Sequence, residues 1–241
     1  MPKPQPKDQN GGPAVISAFD LFDMSSEAVQ RNLNSFAILN LLPAATTLGS
    51  YIFKVRHIDK ADSVPSLGAF SGLPTYAIAR YAGAGMAIFI IIIIASLIVR
   101  TMLYGLQLEA AKGKTPDMSL LWELGKKYWI RLIGLSIVIA VYILGGLILL
   151  IIPGVIMFRR YFLAPFVMID KDTSISESMR ISAELSNPNP GAIWGIIGVS
   201  ILISLPGFIP VIGWIVSLAL GVLYSVAPAL RYEELKKLAK I

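Results

Sequence analysis

Long apolar stretches alternate with short polar stretches along most of this chain. Crossing about 30 Å of hydrocarbon takes roughly 20 helical residues, so these stretches are typical of membrane-spanning helices. Six of them lie at residues 34–54, 83–106, 130–152, 155–169, 190–205 and 209–230. The pattern predicts an all-α integral membrane bundle of about six transmembrane helices, arranged as three hairpins.

The fourth stretch is shorter than the others. Residues 155–169 would form a helix only about 22 Å long at 1.5 Å per residue. Pro153-Gly154 separates it from the stretch before, because proline and glycine interrupt helices. We expect residues 155–169 either to span a locally thinned bilayer or to form a re-entrant pair with residues 130–152.

A short amphipathic segment precedes each predicted hairpin, at 19–33, 119–132 and 174–186. In the second segment, Trp122 and Trp129 suit the boundary between lipid headgroups and hydrocarbon. Amphipathic helices of this kind lie in the plane of the membrane interface. The sequence therefore predicts an interfacial helix before each hairpin.

The two ends of the chain are polar. Prolines and glycines interrupt residues 1–18, which are predicted to form a disordered tail. Residues 19–235 then form the polytopic membrane domain, and residues 236–241 form a short basic tail.

Basic residues are distributed unequally between the two sides that six crossings would create. One side has four, in or beside the 55–80 loop, and the other has thirteen, in the tails and in the linkers 107–129 and 170–189. The excess of lysine and arginine marks the cytoplasmic side. We therefore expect a multi-pass protein of the cell membrane with both termini in the cytoplasm. The net charge of +6 then favours anionic lipid at the inner leaflet, and no nucleic-acid motif is present.

The composition limits which kinds of catalytic and metal-binding site this chain could contain. Hydrophobic residues make up 55% and charged residues only 15%, whereas soluble domains carry about 25% charged residues. The chain has no cysteine and one histidine, His57, which excludes the usual zinc sites. None of the acidic residues falls in the core of a predicted span, where pumps and proton-coupled transporters place theirs. We predict no enzymatic activity and no catalytic, metal-binding or cofactor-binding residue.

Two arginines stand out because they lie inside the shortest apolar stretch. An unpaired arginine at membrane depth costs about 2.5–3.5 kcal/mol on insertion scales. Arg159 and Arg160 either extend to the outer interface or bind the phosphate of a lipid headgroup, which guanidinium matches with two parallel hydrogen bonds. Farther along, Asp170, Lys171 and Asp172 are predicted to form a solvated turn.

The stretch that contains these arginines resembles a known family. The run IPGVIMFRRYFLAPFVMIDKD is followed by SISESMRISAELS and an apolar hairpin. The matching positions are Arg160, Tyr161, Leu163, Ala164, Pro165 and Asp170, followed more loosely by Glu177, Ser178, Arg180, Ser182 and Leu185. Over residues 117–235 the chain resembles the glycerophosphoryl diester phosphodiesterase membrane-domain proteins and their YciC-like relatives. The resemblance implies a six-helix membrane module of unknown activity, without the soluble hydrolase domain of some relatives.

Two functions remain open at this point. One is a non-enzymatic membrane scaffold or lipid-interacting module, favoured by the basic face and by the arginine pair. The other is a transporter or channel subunit for a small solute, favoured by the interrupted spans and by small residues such as Gly145 and Gly146. Membrane lipids, including anionic ones, are the expected partners of the first.

Overall fold

The computed structural model describes residues 15–41, 43–45, 75–209 and 212–240. In these ranges the chain is helical apart from short turns and has no strand, which confirms the all-α prediction. The helices are α1 (Asp20–Arg31), α2 (33–41), α3 (Thr75–Ala111), α4 (Met118–Leu149), α5 (Ile151–Tyr161), α6 (Ala164–Lys171), α7 (Ile175–Ser186), α8 (Pro190–Ser204), α9 (Ile212–Leu223) and α10 (Ala227–Ala239).

The described helices include five segments long and apolar enough to cross a membrane. They are Ile90–Ala111, Met118–Leu149, Ile151–Lys171, Pro190–Phe208 and Ile215–Ala239. These segments correspond to the second to sixth predicted spans. The first predicted span is helical at 34–41 and 43–45; its residues 42 and 46–54, and residues 1–14 of the predicted tail, lie outside the described residues.

The break between α4 and α5 lies three residues before the predicted one. Leu150 has an extended backbone (φ −163°, ψ 141°) and separates the two helices, whereas Pro153 and Gly154 lie inside α5. Proline is tolerated in the first turn of a helix, where its missing N–H has no acceptor to lose. The prediction of a 15-residue fourth span is therefore wrong, since Ile151–Lys171 has 21 residues, enough to cross the hydrocarbon.

The prediction that residues 119–132 form a separate interfacial helix is also wrong. Residues 119–132 form the first part of the 32-residue helix α4, because no proline interrupts the chain between Met118 and Leu149. The first and third segments do form separate helices, α1 and α7. Their apolar faces, including Leu21 and Val29 of α1 and Leu185 of α7, are buried against the rest of the protein.

Buried side chains concentrate towards one end of the bundle. The main core joins α4, α6, α7, α10 and the C-terminal part of α3. We call this the charged end, defined by residues 109–131, 170–190 and 231–240. At the opposite, apolar end, around the turn at Leu150, aliphatic side chains such as Ile148 and Leu149 are 85% and 79% exposed, as expected of a surface that faces lipid.

Asp170 ties three segments together at the charged end. Its carboxylate forms ion pairs with Lys112 (2.7 Å) and Lys236 (2.7 Å) and accepts a hydrogen bond from the Tyr232 hydroxyl (2.8 Å). The Asp170 side chain is only 8% exposed, so its prediction as part of a solvated turn is wrong. Lys236, assigned to the basic tail in the sequence, belongs to α10.

The two ends of the described chain meet at this same end. Glu234 accepts a hydrogen bond from the Ile16 backbone N–H (2.6 Å), and Arg231 donates one to the Ile16 carbonyl (2.7 Å). Arg231 and Glu234 are buried and also pair with each other. Ile16, assigned to the tail in the sequence, therefore lies against α10.

Candidate functional site

Arg159 and Arg160 occupy different surroundings near the end of α5. Consecutive helical residues point about 100° apart, so the two guanidinium groups diverge. Arg159 donates hydrogen bonds to the Ser186 carbonyl (3.2 Å) and to Oδ1 of Asn187 (3.3 Å). Arg159 therefore binds the C-terminal end of α7, and two of its guanidinium nitrogens have acceptors within the protein.

The Arg160 side chain has no such partner. Its Nε is buried and without a hydrogen-bond acceptor, and it takes part in none of the ion pairs found among the described residues. Its backbone is held firmly, because the Arg160 carbonyl accepts hydrogen bonds from the hydroxyls of Ser182 (2.7 Å) and Ser186 (3.4 Å). The structure therefore fixes the position of Arg160 but leaves its charge uncompensated.

Arg160 lines a cleft of about 1050 Å³ between α4, α5 and α7. Along α4 the cleft extends from Arg131 to Tyr142, a distance of about 16 Å on a helix. Tyr142 and Tyr161 pack edge to face (5.8 Å between ring centroids). Arg131 and Arg180 also line it, together with Val138, Asp172, Thr173, Ser174, Ile175, Ser176, Met179, Ala183, Glu184 and Asn187.

The serine spacing of α7 explains how this helix forms one wall. Ser178, Ser182 and Ser186 recur every four residues, so they share one face, and all three are fully buried. Their small side chains let α7 pack closely on α5 and α6. The N-terminus of α7 is capped by Ser174, whose hydroxyl accepts from the Glu177 N–H (3.4 Å), and this terminus lies at the cleft.

The charges along the cleft are largely paired. Asp172 forms ion pairs with Lys127 (2.8 Å) and Arg131 (2.7 Å). The hydrogen bond from Lys127 holds the pKa of the Asp172 carboxyl below its usual value.

Arg180 pairs with Glu177 and Glu184, both at 2.6 Å, and lowers the pKa of Glu177. Of the three arginines that line the cleft, only Arg160 lacks a carboxylate.

The cleft combines apolar and charged lining. Val138 and Met179 line it, as do Arg180 and Glu184. The adjacent surface of α4 is aliphatic, with Val141 64% exposed. The cleft is therefore amphipathic, and its charged lining is continuous with the charged end.

Sequence reasoning found Arg160 but missed the rest of the cleft. The spacing of Ser176, Arg180 and Glu184 places them on one face of α7, which predicts a polar face but not the helix opposite. Among the described residues, no group of three His, Asp or Glu side chains is placed to hold a metal ion.

Comparisons with protein-family models, with curated proteins and with solved structures each find no match to this chain. The resemblance noted for residues 117–235 stays a prediction.

Proposed function

We propose that this chain is a non-enzymatic membrane protein that binds an anionic lipid, with Arg160 contacting the lipid phosphate in the cleft between α4, α5 and α7. The observation that supports this most is that the guanidinium of Arg160 lines the cleft without a carboxylate partner among the described residues, whereas Arg131 and Arg180 beside it are both paired. An unpaired guanidinium in such a cleft favours an anion from outside the chain.

The depth of Arg160 in the bundle also favours a phosphate partner. It lies ten residues from the turn at Leu150, so it is about 15 Å along α5 from the apolar end. A bare arginine at such a depth costs several kcal/mol. A phosphate offers a charge-assisted pair that is roughly twice as strong as a neutral hydrogen bond and that fits the planar guanidinium.

The cleft suits a lipid better than a free anion because its lining is apolar as well as charged. An acyl chain can pack along Val138 and the exposed aliphatic surface of α4, while the phosphate meets Arg160 of α5 and the headgroup meets the polar side chains of α7. This arrangement offers one cleft to both the hydrocarbon and the phosphate of a single lipid molecule.

We further propose that the charged end faces the cytoplasm of a cell in whose membrane the protein resides. The excess of basic residues on this side supports the orientation. The contact between Ile16 and Glu234 (2.6 Å) puts residues near both termini on the same side. Asn32 contacts the Lys114 carbonyl (3.4 Å), beyond the C-terminal end of α3. The start of α2 therefore lies at the charged end as well.

The test measures bound lipid by native mass spectrometry after extraction in mild detergent. Arg160→Gln is expected to lower the co-purifying anionic lipid about tenfold or more, a loss of about 1.4 kcal/mol or more. Arg160→Lys is expected to restore part of it, since an ammonium keeps the charge but lacks the planar fork. Retention of the same lipid by Arg160→Gln would overturn the proposal.

The matched control is Arg159→Gln, which removes the same charge from the adjacent residue. Because Arg159 bonds to Ser186 and Asn187, this variant is expected to lose thermal stability but to keep the lipid. Inorganic phosphate added to the wild type is expected to leave the lipid in place. Displacement of the lipid by inorganic phosphate alone would assign the cleft to a soluble anion.

A further inference from the structure

We propose that the cleft selects a phosphodiester lipid whose headgroup is uncharged and bears hydroxyls, such as a glycerol headgroup, over ethanolamine or choline lipids. This inference rests on the proposed lipid-phosphate function and adds the chemical class of the headgroup. Three features of the cleft support it: the net charge of its lining, the helix N-terminus that lines it and the engagement of its carboxylates.

The charge of the lining fits a single negative charge. Arg131, Arg160 and Arg180 face two carboxylates, Asp172 and Glu184, which leaves one positive charge. A phosphodiester carries one negative charge and neutralises it. A phosphomonoester carries about −1.5 to −2 at neutral pH and would leave negative charge in excess.

The N-terminus of α7 disfavours a cationic headgroup. The first turn of a helix presents unpaired N–H groups and a partial positive charge, and here Ser174 and Ser176 at this terminus line the cleft. An ammonium group would be repelled and could not accept from these donors. The hydroxyl oxygens of a polyol can accept from them, and the Ser176 hydroxyl, whose one partner in the structure is Ser174 (3.3 Å), can bond a hydroxyl in return.

The carboxylates of the cleft are already engaged. Both oxygens of Asp172 are taken, one by Lys127 and the other by Arg131. Glu184 is paired with Arg180. A quaternary or primary ammonium therefore meets no carboxylate that lacks a cation, and the attraction that would retain it is weak.

Ser176→Asp is the test, because it places a carboxylate where the headgroup is expected. Ser176 is the second residue of α7, a position at which a negative charge stabilises the helix, so the variant is expected to fold. Protein in detergent is incubated with equimolar glycerol-headgroup, ethanolamine-headgroup and phosphomonoester lipids of the same acyl chains. Wild type is expected to retain the glycerol lipid about tenfold over the ethanolamine lipid, and Ser176→Asp is expected to abolish that preference.

Ser119→Asp is the matched control. Ser119 is the second residue of α4, is exposed, and lies outside the cleft, so its variant adds the same charge at the same helix position without changing the preference. Equal retention of the three lipids by wild type would overturn the headgroup class but leave the phosphate site, provided that Arg160→Gln still releases them. Preference for the phosphomonoester would overturn the charge match, and no retention of any lipid would overturn both proposals.

Discussion

At the scale of single residues, charged side chains that are close neighbours in the sequence differ in the partners that they meet in the fold. Arg159 hydrogen-bonds to the end of α7, whereas the neighbouring Arg160 faces a cleft with its Nε buried and unpaired. Asp170 is buried between two lysines, whereas Asp172, two residues later, is half exposed and pairs with Lys127 and Arg131. Each difference follows from which neighbouring helix the side chain meets.

Asp172 gives a prediction about pH. The hydrogen bond from Lys127 lowers the pKa of Asp172 in the folded protein below its usual value of 3.8. A carboxyl whose pKa is lower in the folded state than in the unfolded state stabilises the fold at pH values above its pKa in the unfolded state. This stabilisation is lost as the pH falls through the pKa of the folded state. Asp172→Asn is therefore expected to lower the Tm in detergent at neutral pH, with a difference that shrinks towards zero below about pH 4. A difference in Tm that is the same at pH 3 and pH 7 would contradict the assignment.

At the scale of helices, the α4–α5 hairpin depends on glycine at one close approach. A Cβ on Gly146 would lie 2.8 Å from the backbone N and Cα of Gly154, which cannot move without displacing α5. The extended backbone of Leu150 reverses the chain, and the glycine contact lets the two arms pack directly after the turn. Gly145, on another face, has open space around it.

These two adjacent glycines give a prediction about stability. Gly146→Ala is expected to destabilise the protein by about 1–3 kcal/mol, the usual cost of overpacking. Gly145→Ala adds the same methyl group into open space and gains helix propensity, so it is expected to leave the free energy of unfolding unchanged or raised. Both are measured by thermal or denaturant unfolding in the same detergent. Equal effects of the two substitutions on the free energy of unfolding would contradict the proposed role of the close approach between Gly146 and Gly154.

At the scale of the whole molecule, polar side chains join distant parts of the chain at the charged end. Asp170 connects the end of α3, α6 and α10, and the buried pair of Arg231 and Glu234 holds the backbone of Ile16. The apolar end has no comparable network among the described residues. The fold therefore combines a packed polar half with a half that exposes aliphatic surface, which fits a membrane protein whose apolar surface faces hydrocarbon.

The proposed topology can be tested directly because the chain has no cysteine. Single cysteines at Ser119, which is exposed at the charged end, and at Ser63, which lies outside the described residues in the predicted 55–80 loop, are expected to react from opposite sides. An impermeant thiol reagent added to intact cells should label Ser63→Cys, and should label Ser119→Cys only after permeabilisation. Labelling of both from the same side would contradict six crossings.

The sequence by itself determined the features that depend on local composition and period. Apolar stretches of about 20 residues gave the all-α membrane class and the approximate spans, because a helix must be apolar along its length to cross hydrocarbon. Local pattern did not locate the turn at Leu150 or the continuity of α4, because a proline within a first turn and one at a break look alike in the sequence. Only the tertiary structure decided that Asp170 has three partners, because these lie 58 to 66 residues away in the chain and reach it through helix packing. The same holds for the Arg160 side chain, which meets no carboxylate among the described residues.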